Sequence, residues 1–81
     1  MKKTVRVRYF AVLREQRGLD EEQVATEAAT AGDLYEELRK RHRFAFPADR
    51  LRVAINGNFE SWAAAIRDGD ALAFMPPVAG G

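Results

Sequence analysis

The run Ala71-Leu72-Ala73-Phe74-Met75, closed by Pro76-Pro77, limits this chain more than any other stretch. Five apolar residues without a polar break read as a strand covered on at least one face, which places it centrally in a sheet. Each proline fixes φ near about −65° and brings no N–H to a ladder, so the strand ends at Met75 and the chain leaves in extended form. A second strand stands at the opposite end of the sequence. Over residues 4–10, Val5, Val7 and Tyr9 alternate with Arg6 and Arg8, the period of a half-buried strand.

Between these two strands the period changes repeatedly. Residues 11–17 carry Val12 and Leu13 before Arg14-Glu15-Gln16-Arg17, a short helix stopped by Gly18 as C-cap. Val24, among polar neighbours, marks an edge strand over residues 23–27. Thr30 is an N-cap with Asp33 three residues on, opening a helix over residues 31–42. Leu34 and Leu38 lie one turn apart with Tyr35 beside them, so one side of that helix faces the core. Glu36 and Glu37 precede Lys40 and Arg41 at helix-pair spacing. Phe44 and Phe46 stand in a loop expected to tuck beneath the sheet. Residues 51–55 alternate again as a third strand, Asn56-Gly57 is the favoured type I′ hairpin pair, and residues 58–61 return as a short strand. Residues 62–66 form a single turn or short bridge, and Asp68-Gly69-Asp70 is a tight turn.

This order predicts an α+β fold in two layers, a mixed sheet packed on one main helix. If the two terminal strands pair in the middle they run parallel, because the connection crosses over the helix; that is the ubiquitin-like β-grasp layout. Residues 1–75 make the domain and residues 76–81 an extended tail. At 81 residues one modest core is all the chain can hold, since domains of this size bury only roughly 60–65% of their unfolded surface. The absence of cysteine excludes disulfides, thiolate zinc sites and cysteine nucleophiles. The N-terminus lacks the apolar region of a signal peptide, and no apolar run reaches the ~20 residues that span a bilayer. A net charge of +1 gives no general drive toward nucleic acid or membrane. The expectation is a cytoplasmic domain with neither of those partners.

In the tail Pro76-Pro77-Val78-Ala79-Gly80-Gly81 no side chain can do acid–base or nucleophilic work. Its one reactive group is the Gly81 α-carboxylate, ionised at neutral pH with a reference pKa of about 3.3–3.7. A stiff stalk that thins to bare backbone suits delivery of that carboxylate into a narrow pocket on another protein. A frayed terminus is the plainer alternative.

Several segments, in order, resemble a known family. The ending Phe74-Met75-Pro76-Pro77-Val78-Ala79-Gly80-Gly81, preceded by Asp68-Gly69-Asp70, resembles that of the small, sulfur-carrying subunit of molybdopterin synthase. The stretch Tyr9-Phe10-Ala11-Val12-Leu13-Arg14-Glu15-Gln16-Arg17-Gly18 resembles that family's opening. Thr30 with Asp33-Leu34 and Leu38 is similar to its helix start, and Val53-Ala54-Ile55-Asn56 to its third strand. Ala63 departs from the pattern, since relatives often carry an acid before the Asp-Gly-Asp turn.

The resemblance implies a chemistry. An activating enzyme similar to the ubiquitin-activating type uses ATP to adenylate the Gly81 carboxylate, and a sulfur donor converts the acyl-adenylate to a thiocarboxylate. The tail then enters the large catalytic subunit, where its sulfur attacks a pterin precursor to build the dithiolene. The implied assembly is a heterotetramer, a dimer of heterodimers, and the small subunit holds no permanent cofactor and no metal. Gly81 and Gly80 would carry the reactive end, where a Cβ would collide with pocket walls. Pro76 and Pro77 would limit the entropy lost on threading, and Val78 and Ala79 would line an apolar channel. Phe10, Leu13, Arg14 and Phe74 are the partner-contact candidates on the domain itself. Catalytic side chains would belong to the partners.

Other conspicuous residues have plainer readings. Lys40-Arg41-His42-Arg43 is a basic helix end that complements the macrodipole, with a nucleic-acid or partner patch as the alternative. His42 alone, without cysteine or clustered carboxylates, is no ligand set. Asp68 and Asp70 are turn residues before they are a cation site. Arg6 and Arg8 are solvated or meet an acidic partner. Phe10, Leu13, Phe59, Trp62 and Phe74 divide between core and an apolar docking patch near the tail. Three functional classes stay open: the synthase sulfur carrier, a related carrier serving thiamin synthesis or protein modification, and an interaction domain with an idle tail.

Overall fold

A computed structural model describes residues 2–76. Five strands form one mixed sheet: β1 (Lys3–Tyr9), β2 (Glu21–Thr26), β3 (Arg52–Ile55), β4 (Asn58–Glu60) and β5 (Ala71–Met75). Their order across the sheet is β2-β1-β5-β3-β4. The apolar run is thus central, parallel to β1 with Val7 opposite Leu72 and antiparallel to β3 with Val53 opposite Phe74. The weak strand is an edge, as its polar composition predicts, with Val5 opposite Val24.

The helix α1 (Ala11–Arg17) ends where Gly18 adopts φ 81° and its N–H bonds the Arg14 carbonyl. The main helix α2 (Ala31–His42) starts at Thr30, whose hydroxyl accepts the Asp33 N–H. Ala31, Leu34, Tyr35 and Leu38 are buried along one stripe of α2 and pack in one cluster with Val5, Val7, Tyr9, Leu72 and Phe74 of the sheet. Glu37 pairs with Arg41 at 2.9 Å and Glu36 with Arg39 at 3.5 Å on the exposed side. Without a glycine at its end, α2 closes on Arg43 at φ 57°, a left-handed position that sequence did not mark.

Loops complete the core. Phe44 is buried beneath the sheet, 5.5 Å from the Tyr9 ring, while Phe46 is only half-buried. The Tyr35 hydroxyl donates to the Phe46 carbonyl at 2.6 Å, and burial pushes its pKa up to about 12. A single turn of 3₁₀ helix, Ala48–Arg50, leads into β3. Asn56 and Gly57 both have positive φ, 52° and 89°, in the two-residue hairpin between β3 and β4. Residues 62–66 are a turn followed by a single bridge from Ala65 to Thr30. There the chain crosses α2 so closely that Gly32 N–H bonds the Trp62 carbonyl at 2.8 Å, and a Cβ on Gly32 would sit 3.1 Å from that oxygen.

Candidate functional site

The root of the tail is built by the two central strands. In β1 and β5 alternate residues point to opposite sides. Val5, Val7, Tyr9, Leu72 and Phe74 face α2, whereas Arg6, Arg8, Ala71, Ala73 and Met75 face outward. Met75 and Pro76 are half-buried at the end of β5. The candidates Pro77, Val78, Ala79, Gly80 and Gly81 lie outside the described residues, as does the proposed boundary's far side.

The outward face carries short side chains in its middle and larger ones at its sides. One row across the sheet follows from the registers: Glu21 opposite Arg8, Arg8 opposite Ala73, Ala73 opposite Ala54, and Ala54 opposite Phe59. The next row holds Met75 opposite Arg52. Phe59 is 57% exposed, so the ring left open between core and patch stands on the outer face. The Arg52 guanidinium lies 4.1 Å from the centre of that ring, and the Arg8 guanidinium lies 5.3 Å from the Phe10 ring. Arg6 instead pairs with Glu21 at 3.1 Å.

Of the four contact candidates on the domain, the structure leaves two at the surface. Phe10 is half-buried where β1 turns into α1, and Arg14 is exposed on α1. Leu13 and Phe74 are both fully buried, which corrects their assignment as partner contacts. Phe74 occupies an inward position of β5, 5.1 Å from the Tyr35 ring and 5.8 Å from Trp62, and Leu13 is the position of α1 that faces the core. Burial of such side chains is the term that holds a small domain together, so neither is spare for docking. Trp62 packs, partly buried, against that core.

The turn at 68–70 is turn chemistry, as its sequence predicts. Asp68 accepts the Thr4 N–H at 2.7 Å, and Asp70 accepts the Arg67 N–H at 2.8 Å and the Asn56 side-chain amide at 3.0 Å. These bonds fix the entry of β5 against β1 and β3, and with it the position of the tail root.

A polar cluster escaped the sequence reading. Glu22 sits on the inner side of β2, opposite Val7, with its carboxylate accepting from Arg17 Nη2 at 2.8 Å, from Arg17 Nε at 2.9 Å and from the Tyr9 hydroxyl at 2.7 Å. His42 Nε2 approaches the same carboxylate at 3.8 Å, so the lone histidine has a partner after all. The Arg17 bonds hold the Glu22 carboxyl below its ordinary range, against the opposing effect of burial. Burial first, then Arg17, lowers His42, while burial and then Glu22 raise Tyr9. The cluster ties α1, β1, β2 and the end of α2 together; it faces away from the tail root's outer side and is a structural brace. The only sequence signal for it was a glutamate at an inward strand position.

Among the described residues no helix is long and apolar enough to cross a membrane, and no group of three or more His, Cys, Asp or Glu is placed to hold a metal ion.

Five strands in this order wrapped on one long helix define a ubiquitin-like β-grasp protein with its C-terminal strand at the centre. The model of the ThiS family matches residues 7–81, and the chain belongs to that family. It is 37% identical over 78 residues to the molybdopterin synthase sulfur carrier subunit of Haemophilus influenzae, covering 93% of this chain and 96% of the relative. It is 34% identical over 80 residues to the subunit of the same name in Escherichia coli, covering 95% and 99%. In three dimensions it is similar to the small archaeal modifier protein 1 of Haloferax volcanii, with a TM-score of 0.80 at 28% identity, covering 94% of this chain and 99% of that one.

Proposed function

We propose that this chain is the sulfur carrier subunit of a molybdopterin synthase, with the Gly81 carboxylate as its working group. The observation that carries the reading is that the family match runs through the last residue of a chain whose central strand leads straight into Pro76 and the Gly-Gly end. The relatives named as sulfur carrier subunits support it over nearly their whole length.

A carboxylate is a poor acyl donor because oxide is a poor leaving group. Attack of the Gly81 carboxylate on the α-phosphorus of ATP, in the pocket of a separate adenylating enzyme, releases pyrophosphate and leaves an acyl-adenylate. A sulfur donor supplying a hydrosulfide equivalent then displaces AMP, and the tail ends in a thiocarboxylate. That soft nucleophile transfers its sulfur to the pterin precursor inside the large subunit, and the carboxylate is regenerated with water as the oxygen source. The carrier supplies no acid, base or metal; it supplies reach and a rigid root. A carrier that depends on ATP and a sulfur donor is expected to work in the cytoplasm.

The test is intact-protein mass spectrometry after incubation with ATP, the activating enzyme and a sulfur source. The expected product is heavier by the difference between sulfur and oxygen, and both deletion of Gly81 and addition of one residue after it abolish the gain. Normal ATP-dependent activation of the extended chain would sink the mechanism.

The likeness to the small archaeal modifier favours a second reading, attachment of the same activated tail to lysines of other proteins. Lysine-linked conjugates forming in place of sulfur transfer would select it.

A further inference from the structure

Three arginines stand on the outward face, and they are not equivalent. Arg6 is neutralised by Glu21 at 3.1 Å. Glu21 is the ladder partner of Arg8, yet its carboxylate reaches Arg6 rather than Arg8. Among the described residues, neither Arg8 nor Arg52 has a carboxylate within ion-pair distance; each lies over an aromatic ring instead. A guanidinium held over a ring face still has its N–H donors available for a bidentate carboxylate. Arg8 stands on β1 and Arg52 on β3, on either side of β5, with Phe10 just beyond β1 and Phe59 on β4, so about 10 Å separates the two arginines' strands at the usual spacing. Between them lie the half-buried Ala73, the buried Ala54 beneath it in the same row, both with short side chains, and the half-buried Met75 at the root of the tail.

We propose that the Arg8–Phe10 and Arg52–Phe59 pairs flank a docking face for a protein partner that brings one carboxylate to each arginine and seats an apolar side chain on the alanine floor between them. The inference rests on the sulfur-carrier reading and names the chemistry of the partner's contact surface. A second copy of this chain is a poor occupant, because it would bring the same two unpaired cations against each other. A flat anionic surface such as a membrane would meet the arginines but would leave the apolar floor and its flanking rings without a complementary group. A protein surface can supply both, and a carboxylate pair on its rim would fix the register in which the tail is presented.

The experiment is calorimetric titration of the full chain into the large synthase subunit of the same organism, at low and at physiological salt. Binding of the wild-type chain is expected, weakening as salt rises. The double variant Arg8→Glu/Arg52→Glu should weaken it about 100-fold or more, in the range found for closely paired interfacial charges. Arg8→Lys/Arg52→Lys should fall between the two, because charge is kept and the fork is lost. Exchange of the facing acidic residues of the large subunit for arginine should restore affinity to the Glu variant. Since both arginines are exposed, the melting temperature of the Lys variant should match wild type and that of the Glu variant, which sets a carboxylate opposite Glu21, should fall only slightly, which separates lost docking from lost fold. Unchanged affinity in the double Glu variant would overturn the docking face while leaving the sulfur-carrier reading standing. Absence of any wild-type binding to the large subunit would overturn both. Arginine-dependent capture by phosphatidylserine vesicles or single-stranded DNA at physiological salt, with none by the large subunit, would assign the face to a phosphate-bearing partner instead.

Discussion

The two sides of the sheet are made by the same strands and have opposite characters. In β1, Val5, Val7 and Tyr9 are no more than 1% exposed, while Thr4, Arg6 and Arg8 between them are open to solvent. In β5, Leu72 and Phe74 are buried against α2, and Ala71, Ala73 and Met75 on the other side are only half-covered. The inner side is filled by large side chains that interlock, five of them aromatic rings in mutual contact: Tyr9, Tyr35, Phe44, Trp62 and Phe74. The outer side has alanines where the inner side has leucine and phenylalanine. Stability is therefore concentrated on one side, and the other is released from any folding duty. That division suits the proposed sulfur-carrier role, in which one face is left free for partners.

Truncation should expose the asymmetry. Phe74→Ala removes a ring at 0% exposure and should cost about 3–5 kcal/mol. That is a large share of the roughly 4–12 kcal/mol available to a domain of this length. A melting temperature equal to wild type would break the contrast. Glu22→Gln comes next, because it leaves Arg17 and Tyr9 facing a weaker acceptor; a loss of about 1–3 kcal/mol in chemical denaturation is expected. Phe59→Ala should change stability by no more than about 0.5 kcal/mol, since its ring stands on the open side. A loss as large as that of Phe74→Ala would mean that the outer side also carries the fold.

Acid and alkali sharpen the comparison, because the shifted groups are on the braced inner side. His42 is held below its ordinary 6.5, so the folded state binds fewer protons than the unfolded one just below that pH. Stability should be full above about 6.5 and decline as pH falls from there toward the folded value. Glu22 is lowered from 4.5, so its contribution is present above that value and is lost as pH drops through its folded pKa. Tyr9 and Tyr35 are raised from 10.0, so stability should decline again once the unfolded chain begins to ionise them. Thermal midpoints of wild type and His42→Gln across pH 4–7 check the first step: the variant should lose the slope nearest 6.5 and keep the lower one. An unchanged slope in the variant would remove His42 from the brace.

Much of this was legible in residues alone. The span of α2, its Thr30 cap, the Gly18 stop and the Asn56-Gly57 hairpin were each set by local rules of capping, period and turn conformation. The parallel pairing of β1 with β5 followed from two apolar strands at opposite ends of the chain whose connection crosses over the main helix. The assignment of rings was not legible. Phe10, Leu13, Phe59 and Phe74 are similar side chains in similar surroundings along the chain, and only strand parity and register sent Phe74 inward and Phe59 out. The Glu22 cluster joins residues 9, 17, 22 and 42, which no spacing rule connects.

The sequence by itself determined the elements and their order, because period, caps, prolines and glycines act within a few residues. Only the tertiary structure decided which arginines have no carboxylate partner among the described residues, which rings lie beside them, and that alanines lie between. Those outcomes depend on distances across neighbouring strands, which are set by register and by packing against α2.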